Sequence, residues 1–240
     1  MPNSQNESSV ISRGESVPAA TPRSEVDTFL AELRTLAPTS SGARGRLVFA
    51  LDATASRQPT WDTACVLQAE MFHEVAATGG LDMQLVYYRG LDECRASRWI
   101  SNPEQLAKTM SQIACNAGTT QIEKVLIHAC KETKLLRVNA LVFVGDAMEE
   151  NPDKLAHAAG ELGRLGVPAF MFQEGKARDV EQVFREIARL TRGAYCRFDP
   201  GAAHQLAELL RAVAVYATGG ITALAARRDT SAVKLLAQLK

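Results

Sequence analysis

The sequence has no excess of charge of either sign. Lys and Arg together number 27, as do Asp and Glu, so the formal net charge at pH 7 is zero. A protein that binds nucleic acid or an anionic membrane through its overall charge needs an excess of basic residues. The composition supports neither class of partner, and we expect no nucleic-acid partner.

Paired cysteines and long apolar segments are missing as well. The five cysteines are widely spread and never form a Cys-x-x-Cys pair, which argues against a zinc site and against a disulfide framework. We find no stretch with the character of a signal peptide or a membrane span. The expected location is therefore the reducing cytoplasm, with no membrane span.

Several catalytic motifs are absent too. The sequence contains no Walker A motif, no Gly-x-Ser-x-Gly elbow and no Asp-x-Asp pair at a strand end. The glycines in GARG (42–45) and GELGRLG (160–166) do not lie between a strand and a helix, as a dinucleotide site requires. The enzyme question stays open, and a non-catalytic role is favoured.

The sequence does contain alternating strand-like and helix-like segments, and its composition of 46% hydrophobic residues suits one large core. The alternation predicts an α/β fold, a Rossmann-like three-layer sandwich around a mostly parallel sheet. Only 89–93 separate the second and third strands, so these should pair antiparallel at one edge. The strands are predicted at 46–51, 83–88, 94–100, 139–145, 167–172 and 194–198. The helices are predicted at 60–77, 103–116, 121–135, 152–165, 179–191 and 203–217.

Polarity and periodicity predict four regions. Residues 1–24 lack periodic apolar residues and are predicted to be a disordered tail, and 25–44 to be a short helix and linker. The packed domain is predicted at 45–218, and 219–240 form a tail with an amphipathic helix at 232–239, capped by Asp229 or Ser231. That helix could pack on the core or bind a partner.

Three loops carry oxygen-bearing side chains to one edge of the predicted sheet. The first strand ends in Asp52, followed by Thr54 and Ser56, and a later strand ends in Asp146. A loop with Thr120 precedes the helix that leads into that later strand. Ligands of open α/β sheets bind where such strand ends meet. Two carboxylates and several hydroxyls are hard donors that suit Mg²⁺, Mn²⁺ or Ca²⁺ rather than zinc or copper, and they leave the ion able to accept an anionic ligand.

These motifs resemble the metal-ion-dependent adhesion site of von Willebrand factor type A (VWA) domains, also found in integrin I domains. The family pattern is Asp-x-Ser-x-Ser, then a Gly-Gly-Thr loop, then an Asp after the fourth strand; here the segments are DATAS (52–56), GTTQIEKVL (118–126) and VFVGDAME (142–149). Thr54 replaces a serine, Gly118-Thr119 replaces Gly-Gly, and Asp146 lies between Gly and Ala. Gly118 would allow a close approach of the backbone.

The resemblance covers 45–218 and implies a function. It implies a Mg²⁺ site (or Mn²⁺ or Ca²⁺) with the ligands Asp52, Thr54, Ser56, Thr120 and Asp146. The bound ion would coordinate an Asp or Glu carboxylate of a protein partner, so the chain would act as a binding or scaffold module.

Three other interpretations remain open. Asp52, Thr54 and Ser56 could cap a turn and the next helix without any metal. The same ion could serve hydrolysis of a phosphate or acyl substrate, with Glu149 as the candidate general base. The domain could also bind partners without metal through its tail helix. Glu149 and Glu150 are otherwise expected to be solvated.

Overall fold

The computed structural model describes residues 44–58, Trp61, 80–198 and 203–239. The predicted tail at 1–24, the linker helix from residue 25, and the helix at 60–77 except Trp61 lie outside these residues. The described strands are β1 (Gly45–Asp52), β2 (Leu81–Arg89), β3 (Glu93–Ile100), β4 (Ala140–Gly145), β5 (Ala169–Glu174) and β6 (Ala194–Phe198). The described helices are α1 (Pro103–Ser111), α2 (Ile122–Leu135), α3 (Pro152–Arg164), α4 (Arg178–Thr191), α5 (Ala203–Ala226) and α6 (Thr230–Leu236).

The six strands form one sheet in the order β3-β2-β1-β4-β5-β6. All neighbours are parallel except β3, which pairs antiparallel with β2 at the edge. The predicted fold class and the antiparallel edge strand are therefore confirmed. β1 lies between β2 and β4, so the strand order reverses there and the ends of β1 and β4 flank the switch point.

Alternate residues of the strands point to opposite faces of the sheet, which produces two hydrophobic cores. On β1, Leu47, Phe49 and Leu51 face the core formed with α1, α5 and α6, whereas Val48 and Ala50 face the core formed with α2, α3 and α4. Every residue of β1 is buried, as expected of a strand covered by helices on both sides. This is the predicted three-layer arrangement.

Side-chain caps explain where several helices begin. Asn102 precedes Pro103 and accepts a hydrogen bond from the Gln105 amide (3.0 Å), and Asn151 caps α3 in the same way. Asp229 accepts from the Ala232 amide (2.9 Å) and caps α6, so Asp229 rather than Ser231 is the cap. Such caps satisfy amides that a helix leaves unpaired in its first turn.

Helix α1 ends at Ser111, earlier than the predicted residue 116. The chain that follows turns back towards β1 because its polar groups find partners there. The Asn116 amide donates to the Ala53 carbonyl (3.0 Å), and the Ile113 carbonyl accepts from the Trp61 indole (3.0 Å). Trp61 is 3% exposed and packs in the core with β1 and α1.

The C-terminal segment packs on the core. α5 continues to Ala226 past a break at Gly220, where φ is 65°, and α6 then folds back so that Ala232 and Leu235 are fully buried. Of the two interpretations of the tail helix, core packing is the one that the structure supports.

Strand β5 begins and ends two residues later than the predicted range 167–172. The prediction missed its end because the last two residues, Gln173 and Glu174, are polar although they are buried.

One described helix passes a test of length and composition for crossing a membrane. It is Leu206–Ala226, 21 residues long. The expectation that no stretch approaches a membrane span was therefore wrong as far as the length and apolar composition of this helix are concerned. Several of its apolar residues are nonetheless buried against the sheet, among them Leu209, Leu210, Val213 and Leu224, and the core helix of a soluble protein passes the same test.

Candidate functional site

Strand β1 carries Asp52 to the carboxyl edge of the sheet. Asp52 is fully buried, and its Oδ1 accepts a hydrogen bond from the Thr54 amide (2.8 Å). The Thr54 and Ser56 hydroxyl oxygens lie 3.1 Å apart; Thr54 is 6% exposed, and Ser56 is exposed. Asp52 Oδ1 thus stabilises the turn, as the capping interpretation requires. Asp52 Oδ2 takes no part in this hydrogen bond.

Strand β4 carries Asp146 to the same edge, next to β1. Asp52 Oδ2 and Asp146 Oδ1 are both buried, and no hydrogen-bond partner for either is found among the described residues. Burial raises the pKa of the Asp52 carboxyl, hydrogen bonds from Thr54 partly offset this, and the charge of Asp146 raises that pKa further. The two carboxylates therefore lie close enough to repel each other.

The loop before α2 contacts the loop that follows Asp52 and the turn between β2 and β3. A Cβ atom on Gly118 would lie 2.0 Å from the Gly90 carbonyl oxygen, and the Thr119 amide donates to that oxygen (3.1 Å). The predicted close approach at Gly118 is thus confirmed. The bridge between Thr54 and Asn116 joins this loop to the Asp52 loop.

Thr120 is linked to the Asp146 loop. Its hydroxyl oxygen accepts from the Glu149 amide (3.0 Å), and its own amide donates to Glu149 Oε2 (3.0 Å). Thr120 is 4% exposed, and its hydroxyl keeps a second lone pair for another contact. All five predicted ligands therefore lie on loops that meet at one edge of the sheet.

Glu149 is exposed, as expected, whereas Glu150 is half-buried, and both accept hydrogen bonds from backbone amides. Glu150 accepts hydrogen bonds from the amides of Ile122 (2.6 Å) and Glu123 (2.9 Å), so it caps α2 from a neighbouring loop. Glu149 accepts from the Thr120 amide, as described above. The candidate base of a hydrolase is thus a carboxylate that holds two loops together.

Arg57 directly follows the DATAS motif and was not among the residues predicted from the sequence. Arg57 is 1% exposed and forms an ion pair with Glu174, the last residue of β5. Burial lowers the pKa of Arg57, whereas the charges of Asp146 and Asp52 raise it. The pair of Arg57 and Glu174 thus joins the loop after β1 to the end of β5, across the end of β4 that leads into Asp146. The position of Arg57 directly after the motif was its sequence signal.

Tyr88 completes the base of the site from the end of β2. It is fully buried, and burial followed by the charge of Asp52 raises its pKa well above the ordinary value. The Tyr88 hydroxyl therefore stays neutral. The Tyr88 hydroxyl interacts with the Asp52 carboxyl, which lowers the pKa of Asp52 and raises that of Tyr88, but the two groups do not have the geometry of a regular hydrogen bond.

The donor set fits a hard divalent cation. Two buried carboxylate oxygens have no hydrogen bond from any described residue, and hydroxyl oxygens lie on the adjoining loops. Within the described ranges no cluster of three or more His, Cys, Asp or Glu side chains is placed to hold a metal. The candidate set contains only two such side chains, so it suits Mg²⁺, Mn²⁺ or Ca²⁺ and does not suit zinc.

Comparison with known proteins identifies the fold. No family model matches the sequence, and no curated protein matches it. Solved structures do match. The SpRpn10 VWA domain is 12% identical with a TM-score of 0.55, over 71% of this chain and 95% of that one. The vWF domain of the type V pili tip protein Mfa5 from Porphyromonas gingivalis is 11% identical with a TM-score of 0.54, over 72% and 94%.

A third similar structure is an aerotolerance-related membrane protein from Bacteroides fragilis. It is 16% identical with a TM-score of 0.54, over 69% of this chain and 96% of that one. Identities this low show the fold alone. The described domain therefore has the architecture of VWA domains, as the sequence motifs indicated.

Proposed function

We propose that this chain is a protein-interaction or scaffold module that binds a divalent cation at the carboxyl edge of its sheet. Its ligands are Asp52, Thr54, Ser56, Thr120 and Asp146. The bound ion, Mg²⁺ or else Mn²⁺ or Ca²⁺, coordinates an Asp or Glu carboxylate of a partner protein. The observation that carries the proposal is the pair of buried carboxylate oxygens, Asp52 Oδ2 and Asp146 Oδ1, for which the described residues supply no hydrogen bond.

The energetics of these two oxygens favour a bound cation. A buried charged group without a partner destabilises the folded state by several kcal/mol, and two adjacent carboxylates also repel each other. A divalent cation would balance both charges, while the neutral hydroxyls of Thr54, Ser56 and Thr120 would leave it electron-poor. When bound, the ion would supply an electrophilic position for a carboxylate from outside.

Access to solvent supports a docking role. Ser56 is exposed and Asp146 is half-buried, whereas Asp52 and Thr120 lie beneath them. The ion would therefore be held from below and open on the side of Ser56. The neighbouring solved VWA domains support an interaction module in general, and the metal and the carboxylate are our additions.

Isothermal titration of the purified full chain with Mg²⁺, Mn²⁺ and Ca²⁺ tests metal binding. We expect saturable heat with at least one ion, and its loss in Asp52→Asn and Asp146→Asn. Asp153→Asn is the matched control because Asp153 lies on the exposed first turn of α3. Absence of binding of all three ions by the unaltered protein would refute the metal-dependent part.

Solvent proton relaxation with bound Mn²⁺ tests carboxylate docking. Mn²⁺ with an open position relaxes the water that exchanges there, so acetate or a peptide with an Asp side chain should reduce the relaxation by displacing that water. The amide analogues, acetamide and the Asn peptide, are the controls. Equal effects of acid and amide would contradict docking of a carboxylate.

A further inference from the structure

We infer that Arg57 is an internal counter-ion of the candidate site: its guanidinium compensates Asp52 and Asp146 when no metal is bound, and it opposes the entry of a divalent cation. Glu174 holds Arg57 and sets how much of its charge the two aspartates feel. This assigns a binding role to two residues outside the predicted ligand set.

The burial of Arg57 is the first observation. With 1% of its surface exposed, Arg57 is among the largest fully buried side chains of the described residues. Arginine stays charged in proteins, and a buried charge persists only when it is compensated. Because Arg57 lies in the short 3-10 helix directly after Ser56, its side chain belongs to the same loop as three predicted ligands.

The surrounding charges are the second observation. Arg57 lies on the loop after β1 and pairs with Glu174 at the end of β5, so its side chain crosses the end of β4, which leads into Asp146. The charges of Asp146 and Asp52 raise the pKa of Arg57, against the larger effect of burial. Within the described residues, the single charge of Arg57 offsets only part of the charge of Asp52, Asp146 and Glu174, and the negative charge that remains favours a divalent cation. Without a metal, the Arg57 guanidinium is a buried positive charge at the same edge of the sheet as both aspartates.

Two substitutions should change metal affinity in opposite directions. Arg57→Met removes a positive charge from beside the ion, so the affinity should rise. Glu174→Gln removes the carboxylate that holds Arg57, so the guanidinium should act more strongly on Asp52 and Asp146 and the affinity should fall. A residue that only filled space would not give this reversal of sign.

The first test needs no metal. Thermal unfolding of the unaltered protein, Arg57→Met, Asp146→Asn and the double variant, all in EDTA, forms a double-mutant cycle. We expect Arg57→Met to lower the Tm. Asp146→Asn removes a buried charge that repels Asp52, so it should raise the Tm, and it should do so more in the Arg57→Met background, where no attraction to the guanidinium is lost. If Arg57→Met does not fold, Arg57→Lys takes its place in the cycle with a smaller coupling. Additive shifts would overturn the inference.

The second test is isothermal titration with Mn²⁺, and this part rests on the proposed function. We expect Arg57→Met to bind about tenfold tighter and Glu174→Gln about tenfold weaker, the order expected when one unit charge changes beside a divalent ion. Arg164→Met and Glu161→Gln are matched controls, because this ion pair is exposed near the opposite end of α3. Neither control should change the affinity.

The outcomes separate the two ideas. Affinity changes of the same sign in Arg57→Met and Glu174→Gln, or no change in either, would overturn the role of Arg57 in metal binding. If the cycle shows coupling but no variant binds metal, the internal counter-ion stands and the metal-dependent function fails. Coupling together with the opposite affinity changes supports both.

Discussion

Replacement of Glu150 by alanine tests how the loops of the candidate site are held together. Glu150 lies in the loop after β4 and accepts hydrogen bonds from the first two amides of α2, those of Ile122 and Glu123. The residue at the start of that helix, Gln121, makes no capping hydrogen bond with its own side chain. Glu150→Ala therefore removes the cap of α2 and one connection between two loops.

The expected loss is about 2 kcal/mol of unfolding free energy. Replacing a helix cap by alanine costs about 0.5–2 kcal/mol, and a carboxylate at a helix N-terminus contributes a further 0.3–1 kcal/mol or so. Because Glu150 is half-buried, water replaces part of what is lost. Glu150→Gln should cost about half as much, because its amide oxygen can still accept from one backbone amide while the carboxylate charge is gone.

Urea denaturation followed by circular dichroism measures this effect, and thermal unfolding should show a Tm lowered by about 4–8 °C in a domain of this size. Glu161→Ala is the control, since Glu161 forms only an exposed ion pair with Arg164 within α3, worth about 0.5 kcal/mol or less. Equal losses in Glu150→Ala and Glu161→Ala would refute the capping role of Glu150.

Three further predictions follow from the packing. Leu235→Ala should lower the free energy of unfolding, measured in urea, by about 3 kcal/mol because Leu235 is fully buried. Val233→Ala is the control: Val233 is 58% exposed, so its replacement should change that free energy by less than about 0.5 kcal/mol. Equal effects of the two substitutions would argue against the packing of α6. Gly118→Ala should displace the loop from the Gly90 backbone and weaken Mn²⁺ binding in titration, and unchanged affinity would contradict the need for this close approach. Burial lowers the pKa of His128 from 6.5, so the unfolded chain takes up a proton more readily, and stability should fall as the pH drops below about 6.5. His128→Gln should reduce this loss in melts between about pH 7 and 5, and an unchanged pH dependence would contradict the assignment.

Much of the fold was predictable because it depends on residues close together in the sequence. The apolar runs of β1 and β4 report burial on both faces, and a connection of three residues from β2 to β3 permits only antiparallel pairing. Asn102 and Asn151, each followed by proline, mark the starts of two helices. The convergence of the candidate ligands also followed, because parallel strands end at the same edge.

The sequence by itself thus determined the elements, the sheet and the edge at which the oxygen-bearing loops meet. Only the tertiary structure decided which of those oxygens already have partners: Glu150 caps α2, Thr120 is bonded to Glu149, and Arg57 is buried against Glu174. The physical reason is the distance along the sequence between the residues that interact. Periodicity and caps are set by neighbours within a few residues, whereas the partner of a buried charge is set by which strands lie side by side.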